Sequence, residues 1–528
     1  MVSSYDAVVV GAGPNGLVAA NRLVDAGWSV LVLEGASEVG GAVHTAEDVH
    51  PGFLHDTFSS FYPLAAASAA IRSFALEEHG LVWRHAPGVL GHVRSNGSWV
   101  ILHRDREVTA RLLDEEHAGD GDAWLSLCRL WDRVGERFTD ALLTPFPPVR
   151  SGVALALRLP RIGGLDFVRT LLTPVADPTL WPFAGDGPRL LLAGNGGHSD
   201  IPLHAPGSGV LGVLMTMLGQ TVGFPAPEGG AGRLAEALVR RLTAQGGEVR
   251  CSSPATRVVV DQGRAVAVEA ADGTRATARR AVIAAVVAPI LFGRLLHEDD
   301  QPARIRRGMS RFQWDPGTVK VDWALNGPVP WAETPAYAPG TVHVSDDLTD
   351  MSEALGQVAS DLVPAKPFLL SGQMTTTDPT RSPEGTESLW AYTHVPRKTA
   401  GDAGDDGIAG RWDHDDCERF ADRVQARFEA RAPGFSERVL ARRVLGPREL
   451  EARNANLDGG SINGGTSQLH QQLVLRPFPG LGRAETGVRG LYLGSASAHP
   501  GGGVHGAPGM NAARAALAHD RWRRLGRR

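Results

Sequence analysis

Lysine is almost missing from this chain of 528 residues. Lys320, Lys366 and Lys398 are the whole supply, so arginine carries the positive charge and a lysine-based chemistry has three candidates. Cysteine is equally scarce: Cys128, Cys251 and Cys417 are odd in number and far apart. That excludes a metal-ligand or redox-motif spacing and fits a reducing compartment. A net charge of -5 leaves no overall basic surface, which excludes a nucleic-acid partner. No basic segment or cleavage site precedes the first strand signal after Met1, so the expectation is a cytoplasmic protein. Only Pro206 to Pro227 runs as long as a membrane span without a charge, and its Gly207, Gly209, Gly212, Gly219, Gly223, Ser208 and Gln220 suit a buried helix better than a lipid-facing one. Among aromatics, tyrosine is the poor one, with five residues.

What is present starts at once. Ala7-Val8-Val9-Val10 is the continuous apolar run that a fully buried parallel strand requires. It leads into Gly11-Ala12-Gly13-Pro14-Asn15-Gly16, a complete G-x-G-x-x-G, and then into a helical pattern with Leu17, Ala20 and Leu23 on one face. Ser29 to Leu33 reads as a second buried strand with Glu34 at its carboxyl end. Strand, glycine loop, helix, strand and acid in this order make a dinucleotide-binding unit. Gly11 permits the turn, Gly13 lets backbone approach a pyrophosphate, and Gly16 lets helix and strand pack closely. The helix N-terminus offers N–H groups to phosphate, and Glu34 accepts from ribose hydroxyls.

A second glycine pair, Gly40-Gly41-Ala42-Val43-His44-Thr45, follows just past Glu34. A cofactor longer than NAD, running on from the first loop, needs another close backbone approach there, so the expected cofactor is FAD. This arrangement resembles the flavoprotein family that holds amine oxidases, protoporphyrinogen oxidase and the carotenoid (phytoene) desaturases. That family often places arginine after the glycine pair, where this chain has Ala42. Near the far end, Gly490 to Gly494 is a short apolar strand that runs through Ser495 into His499-Pro500-Gly501-Gly502-Gly503-Val504-His505-Gly506-Ala507-Pro508-Gly509 and then a small-residue helix with Met510 in its first turn. The segment resembles the C-terminal signature of bacterial phytoene desaturases and carotenoid ketolases, and the resemblance implies that Gly494, Ser495, Gly506, Ala507 and Met510 line the flavin. A helix N-terminus there suits the N1–C2=O edge of a flavin.

Between these ends, Pro227-Glu228-Gly229-Gly230 precedes an amphipathic helix through Leu234, Leu238 and Leu242, and a set of short strands follows up to Ala285. Relatives place an adenine-contacting segment in such a strand, here Ala255 to Val258, with Val258 taken as the contact. The expected fold class is α/β: a Rossmann-type, glutathione reductase-like FAD domain from residues 1–70, 225–300 and 485–528, with an interleaved α+β substrate domain from 71–224 and 301–484. No second complete G-x-G-x-x-G follows a strand, so a built-in NADPH domain is not expected.

The substrate half is less marked. Leu142 to Pro174 mixes apolar runs with Arg150, Arg158, Arg161 and Arg169, which reads either as solvated helices or as a surface that touches an anionic membrane or guards an apolar tunnel. Thr399 to Gly410 reads as an exposed loop. In Gly317 to Leu325, Val319, Val321, Trp323 and Leu325 alternate with Lys320 and Asp322 on a half-buried strand. The resemblance implies that Lys320 stands near flavin N5; a solvent-facing lysine is the other reading. His499 and His505 either transfer protons or hold their loop through backbone hydrogen bonds. Asn456 to Ser467, rich in glycine and polar groups, is expected to line the pocket with Gln468 and His470. No metal site is expected, and a homo-oligomer is compatible with the sequence. These features together predict an FAD-dependent oxidoreductase that oxidises C–H bonds of an apolar, isoprenoid-type substrate. An amine oxidase and a non-catalytic flavin-binding scaffold remain the alternatives, the former disfavoured by the shortage of tyrosine for an aromatic cage.

Overall fold

The computed structural model describes residues 2–157, 164, 169–170, 172–177, 179 and 181–525. The chain opens on β1 (Val2–Val10), α1 (Pro14–Val24) and β2 (Val30–Leu33). A hairpin, β3 (Gly88–Val93) and β4 (Trp99–Leu102), comes before helices α2 (Arg106–Glu116), α3 (Asp120–Leu143), α4 (Gly187–Gly196) and α5 (Ser208–Thr221). Next come α6 (Gly232–Ala244), β5 (Glu248–Arg250) and the meander β6 (Ala255–Asp261), β7 (Arg264–Ala270) and β8 (Arg275–Ala284). β9 (Gly317–Leu325), β10 (Pro339–Val344), β11 (Leu369–Gln373), β12 (Glu387–Val395), α7 (His414–Glu429) and β13 (Val439–Leu445) follow. β14 (Leu491–Leu493) and α8 (Ala507–Leu525) close the series.

Two seven-stranded sheets organise these elements. The first runs β6-β7-β8-β1-β2-β5, with β14 beside β8. β14, β8, β1, β2 and β5 are parallel, and the meander is antiparallel. The central strands are apolar on both faces because helices cover one side and the meander the other; Ala7, Val8 and Val9 have no exposed surface. On one side Leu17, Leu23, Leu234 and Leu238 of α1 and α6 pack with Ala512, Ala513 and Ala516 of α8. Each such leucine stabilises the fold by roughly 1.5–3 kcal/mol through burial. The first sheet is of the Rossmann type, and the fold is α/β.

The second sheet runs β13-β9-β12-β11-β10-β3-β4 and is antiparallel except where β10 meets β3. Helices α4 and α5 sit against the β3–β4 end, with Leu191, Leu192 and Met217 in one cluster with Leu90, Leu102 and Leu370. α7 covers the other face, where Phe420 and Phe428 pack on Trp323. The uncharged stretch before Pro227 is the α5 segment, half of it turned into this core. Among the described residues, no helix is long and apolar enough to cross a membrane.

Two expectations change here. β9 is buried along its whole length, not half-buried. The segment Leu54–Asp56 lies over its second face: His55 Nε2 meets the Trp323 carbonyl at 3.1 Å, and Ser388 Oγ on the neighbouring β12 donates to the Leu54 carbonyl at 3.0 Å. Thr399 to Gly410 is likewise not a free loop. Asp402 accepts from the N–H groups of Gly404 and Ile408 at 3.0 Å each and pairs with Arg423 of α7 at 2.8 Å, so Ile408 is buried.

Three fully buried charges tie the second sheet to the first. Arg381 donates to Asp56 at 2.9 Å and to Asp378 at 3.0 Å, and none of the three side chains has exposed surface. The same carboxylates reach on: Asp56 accepts from Ala231 N and Asp378 from Gly229 N, both at 2.8 Å. The Pro227–Ala231 turn is thereby held at both shoulders, with no buried acceptor left idle.

Candidate functional site

At the carboxyl end of β1, Gly11 N–H donates to the Leu33 carbonyl at 2.8 Å, and Gly40 N–H donates to the Ala12 carbonyl at 3.0 Å. These two bonds hold the two glycine pairs together. A Cβ on Gly16 would run into the Gly11 carbonyl and the Ala285 side chain, so α1 sits closer to β1 than any other residue allows. Gly13 differs. A Cβ there would meet nothing nearer than Gly41 at 3.9 Å, which leaves the room a phosphate group needs at the start of α1. Pro14 occupies the first helical turn, where its missing N–H costs nothing. Glu34 accepts from Ala12 N at 2.7 Å and Ala36 N at 2.9 Å. The two bonds orient the carboxylate and leave each oxygen a lone pair for a hydroxyl donor.

α8 starts against α1. Gly509 lies so close to the Asn15 carbonyl that a Cβ would overlap it, and Gly506 sits on Val18. Asn15 Oδ1 is buried with no protein donor. Ala42, in the place of the family's arginine, brings no side-chain charge; its carbonyl accepts from Ser59 Oγ at 2.7 Å, and Tyr62 in turn bonds that serine. Opposite, the Asn454 amide comes up against Gly41. This asparagine passed unnoticed in the sequence because it belongs to a segment some four hundred residues away from the loop it faces.

Several predicted contacts fall elsewhere. Val258 is a core residue of the meander, with no exposed surface and its backbone paired to Val268. The segment that meets Glu34 lies earlier: Ser252 N–H donates to Ala36 O at 2.7 Å and Ser253 N–H to Glu34 O at 2.8 Å. From Ala255, three residues of strand carry Val258 about 10 Å onward. Met510 packs in the core between α1 and α8, and its N–H is bonded to the Gly506 carbonyl at 3.0 Å. Gly494 lies against Ile283 and Gly509, and Ser495 is buried, accepting from Ser497 N at 3.2 Å.

His505 holds its loop. Its Nδ1 accepts from Ala507 N at 3.1 Å, so Nε2 carries the proton and donates to the Gly502 carbonyl at 3.1 Å. Burial pushes its pKa down to about 4. With both nitrogens engaged by backbone, the imidazole acts as a clamp of its loop, the second of the two readings of His505. The same bond caps the first N–H of α8, and Pro508 has none, so this helix start offers less free N–H than the sequence suggested. His499 Nε2 donates to the Thr144 carbonyl at 3.0 Å, while Nδ1 is buried without a partner.

Lys320 is neither solvent-facing nor free. Its Nζ donates to the Asp56 carbonyl at 2.9 Å, pairs with Asp322, and stands 5.8 Å from the Trp390 ring centre. Arg443 holds the other oxygen of Asp322 at 2.7 Å. Burial depresses the Lys320 pKa against the pull of Asp322, and burial opposes the Asp322 charge less than Lys320 and Arg443 favour it. The lysine is a member of a buried ion network. Trp390 and Tyr392 stack beside it with ring centres 6.0 Å apart.

The glycine-rich stretch Asn456 to Ser467 is clamped from both sides. Asp315 accepts from Ile462, Asn463 and Gly465 N–H at 2.8–2.9 Å. Arg476 donates to carbonyls of the same loop. His470, expected in the pocket, is at the surface and bonds Gln313 at 2.7 Å. Of the arginines in Leu142 to Pro174, Arg158 and Arg161 lie outside the described residues.

Residues 9–75 match the NAD(P)-binding Rossmann-like domain family. The mouse (Mus musculus) pyridine nucleotide-disulfide oxidoreductase domain-containing protein 2 is 28% identical over 96% of this chain and 92% of its own length. Prolycopene isomerase of carrot (Daucus carota) is 23% identical over 95% and 77%, and the neurosporene-forming phytoene desaturase of Rhodobacter capsulatus 27% over 55% and 53%. Among solved structures, an oxidoreductase from Methanosarcina mazei covers 98% of the chain and 100% of its own, at 15% identity and a TM-score of 0.60. A putrescine oxidase covers 98% and 99% at 19% identity and 0.57. In sequence the chain is similar to these oxidoreductases and desaturases over most of its length, and its fold is the one the two solved structures have.

Proposed function

We propose that this protein binds FAD in the cleft where α1 and α8 begin, and oxidises a C–H bond of an apolar, isoprenoid-type substrate. The observation that carries the reading is the open cradle at Gly13, beside Gly41 and Asn454, with the Glu34 carboxylate oriented at one end and two helix starts converging at Asn15. Phosphate, ribose and the flavin chain each find a suited group there. A bound flavin accepts a hydride from a substrate C–H. The protein positions the substrate, keeps water out and supplies fixed charge.

The neighbouring sheet face supports an apolar substrate. Trp390 and Tyr392 share that face by register with Lys320, and beyond them Leu370 and Leu90 continue it under α4 and α5. An amine substrate is disfavoured by the same face, since the stacked aromatic pair already has a cation, Lys320, beside it. Relatives named for prolycopene, phytoene and limonene fit an apolar substrate better than an amine. The test is anaerobic titration of the purified holoprotein with acyclic polyenes and with aliphatic amines, followed by flavin absorbance. Bleaching by the polyenes alone supports the proposal, and bleaching by amines reverses the substrate class. A flavoprotein that neither reduces is the scaffold; a colourless protein that takes up no FAD overturns the cofactor.

Peripheral membrane contact belongs to the same proposal. Val149, Val153 and Leu157 are exposed at four-residue spacing along one helix face, in the arginine-rich segment the sequence marked out. Vesicles of mixed anionic and zwitterionic phospholipid are expected to carry the protein upward in a sucrose gradient. A Val153→Asp, Leu157→Asp double variant is expected to stay at the bottom with its melting temperature unchanged. Flotation of neither protein removes the membrane from the proposal.

A further inference from the structure

Arg476 is a buried cation with no carboxylate bonded to it among the described residues. Its side chain has no exposed surface, and its hydrogen bonds all go to backbone carbonyls: Ala496 at 2.9 Å, Thr466 at 2.8 Å, Asn463 at 2.9 Å, and Gly465 and Gly464 at 3.3 and 3.5 Å. A guanidinium stays protonated under such conditions; burial brings its pKa down only to about 10. The nearest compensating charges, Asp315 and Asp200, are spent elsewhere. Asp315 takes three N–H groups of the 462–465 turn, and Asp200 takes Thr466 Oγ1 and, at 2.7 Å, Ser467 N.

The position of this charge matters more than its partners. Ala496 lies between β14 and the loop that leads to α8, and Gly501, in that loop, rests directly on the guanidinium. Ser497 of the same loop donates to the Gly464 carbonyl at 2.8 Å and accepts from Ala288 N at 3.0 Å, fixing the loop to the end of β8. The charge is felt upward: it disfavours protonation of both His499 and His505. Because His505 already caps the start of α8, the helix alone gives an incomplete positive field. A buried charge in a poorly screened interior acts over several ångströms.

We propose that Arg476 is the positioning charge of the redox site: through the Ala496–Gly503 loop it stabilises the negative charge that builds on the pyrimidine edge of the flavin when two electrons and one proton are added. The inference rests on the FAD reading. Its chemical content is a raised reduction potential and tighter capture of sulfite, whose sulfur donates an electron pair to N5 and leaves the charge at N1–C2=O.

The experiment measures the two-electron potential against reference dyes, and the sulfite dissociation constant, for the holoprotein and three variants. Arg476→Gln is expected to weaken sulfite binding about tenfold and to lower the potential by the equivalent ~30 mV. Arg476→Lys, which keeps the charge, is expected to recover most of both. Asp200→Asn removes a nearby negative charge and is expected to move both quantities the opposite way. A purely structural clamp would shift all three variants in one direction, and that result overturns the proposal, as does an Arg476→Gln protein indistinguishable from the parent. If the glutamine variant does not fold, the opposed signs of Arg476→Lys and Asp200→Asn still decide. A wild-type protein that takes up no FAD overturns this inference and the cofactor reading together; a yellow protein whose potential ignores Arg476 overturns this inference alone.

Discussion

A Gly509→Ala variant will be purified without flavin. The Cβ it introduces overlaps the Asn15 carbonyl, a backbone atom in the first turn of α1 that cannot rotate aside. α8 then has to lift away from α1, and the helix start moves with the loop that carries His499 to Gly506. Forced overpacking of this kind costs about 1–3 kcal/mol when side chains can yield, and here neither partner is a side chain. The expected readings are a flavin-to-protein absorbance ratio near zero and a melting temperature lowered by about 3 °C or more. Gly356→Ala is the control. Gly356 lies within the helix Leu348–Ala359 with open space where its Cβ would stand, and alanine there should raise the melting temperature slightly. Normal flavin content in Gly509→Ala would mean that the contact between the two helix starts is dispensable.

The second large effect is acid lability. His92 has no exposed surface and His198 is partly buried, and burial pushes the pKa of each down to about 3. His198 Nε2 meets His343 Nε2 at 3.0 Å, an arrangement that needs one proton between the two rings, and burial, with the neighbouring histidines, holds His343 well below the usual imidazole range. An unfolded histidine takes its proton near pH 6.5. Above that value neither state is charged and stability is flat. Between about 6.5 and 3 the unfolded chain binds protons that the folded one refuses, so stability falls as pH falls. For each of His92 and His198 the loss at pH 5 is about 2 kcal/mol. A domain with ordinary net stability loses a large share of it. Urea unfolding at pH 7.5 and pH 5.0 checks this, with His198→Gln expected to flatten the difference. Equal midpoints at the two pH values would show that the cluster opens to solvent.

How much of this was legible depended on distance along the chain. The phosphate loop, Glu34 and the second glycine pair are brought together as the spacing suggests, because every partner lies within about forty residues. Lys320 was misplaced for the opposite reason. Alternation along Gly317–Leu325 reports one strand, and nothing local says that Leu54–Asp56 will lie across its polar face. Val258 and Met510 show a limit of another sort: the strand and helix period turn those side chains into the core, which the segment alone does not tell. Arg476 gave a faint signal, an arginine between Leu473-Val474-Leu475 and Pro477-Phe478, but its importance comes from a loop twenty residues on. Asp56, Arg381 and Asp378 were missed outright, since two of them are 325 residues apart and each looks like an ordinary surface charge.

That triad also decides how a substrate enters. Lifting the Pro227–Ala231 turn off the second sheet would strip the Asp56 and Asp378 carboxylates of the Ala231 and Gly229 N–H groups, at about 1–3 kcal/mol for each group left unpaired. The closed seam is therefore the state that an incoming substrate meets in most molecules. For the proposed apolar substrate, entry past an intact seam is then expected to be end-first. Turnover should then depend on chain length and flexibility of the substrate more steeply than on its end groups, as in a tunnel and not in a jaw.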